Sequence, residues 1–127
     1  TLPDGITTLE SQSFQNCRKI TLKKLPAGLT KIDSYALQSC ERITVSEIPA
    51  GVVELGKQCF SGCRGITSIA FGGTPTTIAS DAFNGTIYLT DIYAPWAEGA
   101  VANAPWGATY ATIHYNTTYD ENGDPIE

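Results

Sequence analysis

The sequence predicts a repeat solenoid, β-rich and built from short parallel strands, on three observations. A short opening recurs with a 23-residue period, as Leu2-Pro3-Asp4-Gly5-Ile6, Leu25-Pro26-Ala27-Gly28-Leu29 and Ile48-Pro49-Ala50-Gly51-Val52. The same shift aligns Leu9 with Ile32, Leu55 and Ile78, Phe14 with Leu37, Phe60 and Phe83, and Ile20 with Ile43, Ile66 and Leu89. No insertion interrupts these four coils, and a fixed period of this size marks stacked repeats. A solenoid offers a long, regular surface and seldom closes a pocket, so binding is the expected mode of action.

Each coil opens with an apolar residue and Pro, then Gly two positions later, which suits a tight corner with one residue at positive φ. A short extended run follows at residues 6–9, 29–32 and 52–55. A polar corner then leads to a small and a large apolar residue: Ser13-Phe14, Ala36-Leu37, Cys59-Phe60 and Ala82-Phe83. The large members are expected to stack coil upon coil as a core ladder. Cys17, Cys40 and Cys63 come next, then a second strand beginning at Ile20, Ile43, Ile66 and Leu89. Thr21, Thr44, Thr67 and Thr90 follow these as an outward ladder on what reads as the main parallel sheet. With Ser46 they form one candidate binding face; the alternative is that Thr is simply a good exposed strand residue.

The pattern Leu-Pro-x-Gly-[Ile/Leu]-x-x-[Leu/Ile]-x-x-x-[small]-[Phe/Leu]-x-x-Cys-x-x-Ile resembles the BspA-like, or Treponema pallidum-type, leucine-rich repeats of bacteria and some protists. The likeness covers about residues 2–94. It implies a right-handed leucine-rich-repeat superhelix with short strands on the concave side and turns or short 3-10 segments on the convex one. It also implies a secreted or surface-attached protein that binds host or neighbouring-cell components. The fourth coil departs from the pattern, with Gly72-Gly73 in place of the apolar-Pro corner and Thr86 in place of Cys.

At 127 residues the chain fits one domain, and 42% apolar against 17% charged residues argues against disorder. No apolar run reaches the roughly 20 residues of a membrane helix, so no membrane insertion is expected. The chain begins at the first residues of a repeat and without Met, and reads as a mature or excised fragment whose signal or anchor lies elsewhere. All eight Lys and Arg lie between Arg18 and Arg64, giving residues 1–64 a charge of +2 against six acids; seven acids give residues 65–127 a charge of −7. Basic residues alternate with acids between coils (Arg18, Glu41, Arg64; Lys31, Glu54; Lys24, Glu47), which suggests stacked charge pairs and speaks against nucleic acid.

Neither cofactor nor metal is expected. There is no Cys-x-x-Cys, the single His114 is far from every cysteine, and the four cysteines read as buried free thiols. One His and no nucleophile elbow leave acyl transfer without parts, and Glu10 with Asp33, the only stacked acidic pair, reads as solvated surface. No catalytic residue is assigned and the chain is not expected to be an enzyme.

Composition shifts at the C-terminal end, where both Trp and five of six Tyr fall between Tyr88 and Tyr119. The division is therefore residues 1–93 as four repeats of one length, 94–116 as a degenerate fifth repeat acting as cap, and 117–127 as a flexible tail. Trp96 and Trp106 would cover the end of the core, and Ala111, Ile113 and Tyr115 alternate as a closing strand. Tyr93 and Trp96 are also candidates for contact with a protein or a sugar. The expected function is a non-catalytic adhesion module for a host or neighbouring-cell surface protein. The alternatives are a spacer or virion-associated adhesin part, and a glycan-binding end patch.

Overall fold

The computed structural model describes residues 5–119 and 125–126; Leu2-Pro3-Asp4 of the first coil opening lie outside the described residues. The chain is a β-solenoid of about five turns with parallel strands and, among the described residues, no helices. One sheet is formed by the first strand of each coil: β1 (Thr8–Leu9), β2 (Lys31–Ile32), β4 (Glu54–Leu55) and β6 (Thr77–Ile78), in register at the sequence period. The second sheet runs β3 (Glu47–Ile48), β5 (Ser68–Phe71), β7 (Asp91–Tyr93) and β8 (Thr112–His114), also parallel. Both sets of strands are short because each coil must turn again within a few residues.

Side chains from both sheets and from the connecting turns meet in one core. Leu9, Ile32, Leu55 and Ile78 point in from the first sheet, and Ile48, Ile69, Phe71 and Ile92 from the second. From the turn side come Leu37, Phe60 and Phe83, all buried, with Phe14 half-buried at the first coil. Phe60 and Phe83 stack with ring centroids 5.5 Å apart and planes 9° apart, as the ladder reading expects.

Of the two forms expected on the turn side, turns or short 3-10 segments, the chain takes turns, and its hydrogen bonds say why. The amides of Ser13, Gln15 and Cys17 bond within their own coil, to Glu10, Gln12 and Phe14, while those of Gln12, Phe14 and Asn16 reach the next coil, at Ser34, Ala36 and Gln38. Coil two repeats this: Ala36, Gln38 and Cys40 bond inward, and Tyr35, Leu37 and Ser39 bond to Lys57, Cys59 and Ser61. A 3-10 run would need every amide to bond back three residues. Here half of them stitch coil to coil, and the segment is a chain of linked turns. Positive φ at Gln12, Tyr35 and Gln58, and at Asn16, Ser39, Gly62 and Gly85, produces this alternation. The coil-opening glycines do not supply it: Gly28 and Gly51 lie outside the positive-φ set, because Leu29 N–H to Pro26 O and Val52 N–H to Pro49 O close turns that need no left-handed residue. Outside this backbone runs an amide ladder, Gln15 to Gln38, Gln38 to Gln58 at 2.9 Å and Gln58 to Asp81 at 3.3 Å.

The four cysteines are free thiols, three of them buried. Cys40 Sγ donates to Phe14 O at 2.9 Å and Cys63 Sγ to Leu37 O at 3.1 Å, and Thr86 Oγ1 donates to Phe60 O at the same place in the next coil. Thr86 thus keeps the donor and changes only the atom that carries it. Of the expected charge pairs, Arg18 with Glu41 (3.7 Å) and Lys31 with Glu54 (3.0 Å) form. Among the described residues, Lys24 with Glu47 and Glu41 with Arg64 do not.

In the last coil the offset slips. Phe83 N–H reaches Trp106 O, one position further along the chain than the step that joins Phe60 to Ala82 or Leu37 to Cys59. Ile92 pairs with Ile113, two positions short of the step that pairs Ile69 with Ile92. Trp96, Trp106 and Phe71 form an edge-on cluster over the end of the core, with centroids 5.1 to 6.2 Å apart. Thr117, at the start of the expected tail, is buried and donates to His114 O at 2.7 Å. Beyond it β9 (Thr118–Tyr119) pairs antiparallel with β10 (Pro125–Ile126); residues 120–124 and 127 of that tail lie outside the described residues.

Candidate functional site

The side carrying the second sheet gathers most of the residues singled out from sequence. Thr21, Thr44, Ser46, Thr67 and Thr90 are all exposed there. Their spacing is fixed by the coil-to-coil bonds Thr44 N–H to Leu22 O (2.8 Å), Thr90 N–H to Thr67 O (2.9 Å) and Thr112 N–H to Thr90 O (2.8 Å). The threonines stand at the edge of the strands rather than within them, since β5 and β7 begin one residue later.

The rungs differ in what their hydroxyls do. Thr90 Oγ1 donates to Asp91 Oδ2 at 3.0 Å and lies 3.3 Å from Thr67 O, so the solenoid itself occupies it. The hydroxyls of Thr21, Thr44 and Ser46 have no such partner among the described residues. These three line two adjoining depressions of the first coils: one of about 600 Å³ bounded by Thr21, Leu22, Lys23, Lys24, Arg42 and Thr44, and a second bounded by Lys23, Lys24, Thr44, Ser46 and Glu47.

At the other end, Asp91, Tyr93 and His114 form a compact polar cluster. His114 Nε2 lies 2.9 Å from Asp91 Oδ1, and the His114 ring stacks on Tyr93 with centroids 4.6 Å apart. Hydrogen bonding from His114 first, and from Thr90 second, holds the Asp91 carboxyl below the usual carboxylate range. Tyr93 is half-buried, with one face against His114.

Trp96 requires a correction. It is 5% exposed and wedged between Phe71 and Trp106, so its ring has no face for a ligand, and of its two expected roles the structure gives it only that of cap. Among the described residues, the exposed aromatics of this end are Tyr88 and Tyr110, at 56% and 69%, beside Ile87 at 44%. They occupy the same place in successive coils: Leu89 N–H bonds to Thr86 O and Ala111 N–H to Ala108 O, with each tyrosine one residue before the donor. The sequence carried the signal as Tyr88-Leu89-Thr90 and Tyr110-Ala111-Thr112.

Burial raises the pKa values of Cys40, Cys59 and Cys63, which keeps these thiols protonated. No group of His, Cys, Asp and Glu able to hold a metal occurs among the described residues, and no described helix is long and apolar enough to cross a membrane.

A stack of near-identical coils with one continuous core and an open strand side defines a leucine-rich-repeat solenoid, a class of scaffold that typically works through its surface. The family model of the BspA type leucine rich repeat region matches residues 1–99 in six copies, and the chain belongs to that family. No curated protein and no solved structure matches it.

Proposed function

We propose that this chain is a non-catalytic protein-binding module of a bacterial surface or secreted protein, engaging a protein on a host or neighbouring cell. The observation that carries this reading is the exposure of Ile87, Tyr88 and Tyr110 on adjacent coils while both tryptophans are buried. Water-exposed aromatics arranged together gain most from being covered, and Tyr is among the residues that dominate the energetics of protein interfaces. The exposed row from Thr67 to Thr112 beside them supplies short, stiff polar side chains for an interface rim. The family of the chain supports a role in protein interaction, and the resemblance of its repeats to bacterial surface proteins supports an adhesive one.

The test is a pull-down from host-cell surface extract with residues 1–127 immobilised, compared with the Tyr88→Ala/Tyr110→Ala double variant. A partner captured by the wild type and lost from a variant of unchanged melting midpoint is the expected outcome. Equal capture by both would remove the aromatic patch as the contact.

A further inference from the structure

The distribution of cations along the first coils is not accounted for by packing. Arg18 is engaged by Glu41, and Lys31 by Glu54 and Asp33. Lys23, Lys24 and Arg42 have no ion-pair partner among the described residues, yet all three line the depression of about 600 Å³ on the strand side, together with Thr21 and Thr44. Three unneutralised cations around one concavity repel each other, and an anion seated among them would relieve that repulsion.

We propose that this depression is a binding site for an acidic polysaccharide, independent of the Tyr88 and Tyr110 patch. Three features select that chemistry. The cations supply the contacts for sulfate or carboxylate groups, with Arg42 able to present two parallel N–H groups and Lys23 and Lys24 acting as point charges. The hydroxyls of Thr21, Thr44 and Ser46, unlike that of Thr90, are not used internally among the described residues, and they lie where ring hydroxyls of the same ligand would fall. The only apolar residue in the lining is Leu22, which is 4% exposed, so a Trp, Tyr or Leu anchor from a protein partner would meet the stems of the cations and the threonine methyls in place of a buried apolar floor. Glu47 bounds the cationic stretch at the end of the second coil, and residues 65–127 carry seven acids and no Lys or Arg. A long phosphate backbone running on along the solenoid would meet repulsion there, whereas a short anionic stretch of glycan ends before it.

The test uses the full chain and heparin oligosaccharides as the probe, with titration calorimetry near physiological salt. Lys24→Gln/Arg42→Gln should weaken binding about tenfold or more, the loss of two charge-assisted contacts, while Lys57→Gln/Arg64→Gln, with the same change in net charge on exposed residues outside the depression, should change it less than about twofold. Thr44→Val should weaken binding without altering net charge or the melting midpoint. Equal losses from the two double variants would reduce the site to diffuse attraction and overturn the proposal. So would an undetectable wild-type interaction, or polyglutamate binding as tightly as heparin with the same dependence on Lys24 and Arg42.

Discussion

The thiol of Cys63 donates its hydrogen to the carbonyl oxygen of Leu37, 3.1 Å away in the preceding coil. Leu37 is a core rung, and its carbonyl, which already accepts the Cys40 N–H at 3.3 Å within its own coil, takes the cysteine of the next coil as a second donor. The same relation joins Cys40 to Phe14 and Thr86 to Phe60. Cysteine at this position is therefore a small buried donor, and its redox chemistry has no part in the fold.

From this it follows that Cys63→Ala should destabilise the chain by about 0.5–1.5 kcal/mol, the net range for one hydrogen bond, since the Leu37 carbonyl keeps the Cys40 N–H. Cys63→Thr, which imitates Thr86, should cost clearly less. Urea unfolding of the two variants makes the comparison; equal midpoints would show that the hydrogen bond contributes nothing.

The same burial predicts an order of thiol modification. Cys40, Cys59 and Cys63 are buried with raised pKa values, whereas Cys17 is half-buried at the first coil. A thiol-specific reagent at neutral pH should label Cys17 in the native protein and the other three only on unfolding. Labelling of two or more sites at the Cys17 rate would contradict the packing described.

Phe60 lies between Leu37 and Phe83 in the ladder and stacks on the latter. Phe60→Ala should cost about 3–5 kcal/mol. An unchanged melting midpoint would mean that the turn-side residues are not in this register.

The two tryptophans of the closing cluster should respond differently to loss of their N–H. Trp106 Nε1 donates to Ala102 O at 2.8 Å, while Trp96 Nε1 is buried without a partner among the described residues. Replacement by Phe removes a satisfied donor in the first case and an unsatisfied one in the second. Trp106→Phe should therefore be the more damaging, by about 1–2 kcal/mol, in chemical denaturation. The reverse order would show that volume alone decides.

Asp91 gives the chain a pH dependence of known sign. Its pKa is lowered in the folded state by His114 and Thr90. A carboxyl shifted this way adds stability above its unfolded value, near pH 4, and the contribution is lost as pH falls through the folded value. Melting midpoints of the wild type should thus drop more steeply below about pH 4 than those of Asp91→Asn. Parallel curves would show that the contact with His114 carries no linkage.

The period made most of this fold legible. Residues of one class recurring at a constant step place Leu9, Ile32, Leu55 and Ile78 on one rung set, and Leu37, Phe60 and Phe83 on another, from spacing alone. What escaped were features that depend on backbone conformation or on breaks in the period. Gln12, Tyr35 and Gln58 share a left-handed φ but no common side-chain chemistry that would announce it. Cysteine reads as an apolar residue, and only its replacement by Thr86 hinted at a donor. Trp96 and Trp106 both read as cover for the end of the core, and Trp96 read as a contact candidate as well, since composition does not say which aromatic is covered. Tyr110 follows Tyr88 one position short of the period, and the residues before them on that row are Gly65 and Arg42, so no ladder drew attention to them.

The strict alternation of amides on the turn side sets a grammar for how such a chain changes length in descent. Every second N–H there must meet a carbonyl of the next coil, so gain or loss of a whole coil preserves parity. One added residue inside the segment would exchange the two sets of amides from that point onward. Duplication of the codons for one entire coil is then the step that selection tolerates. Drift in length is confined to the final coil, where the offsets from Phe83 to Trp106 and from Ile92 to Ile113 already disagree.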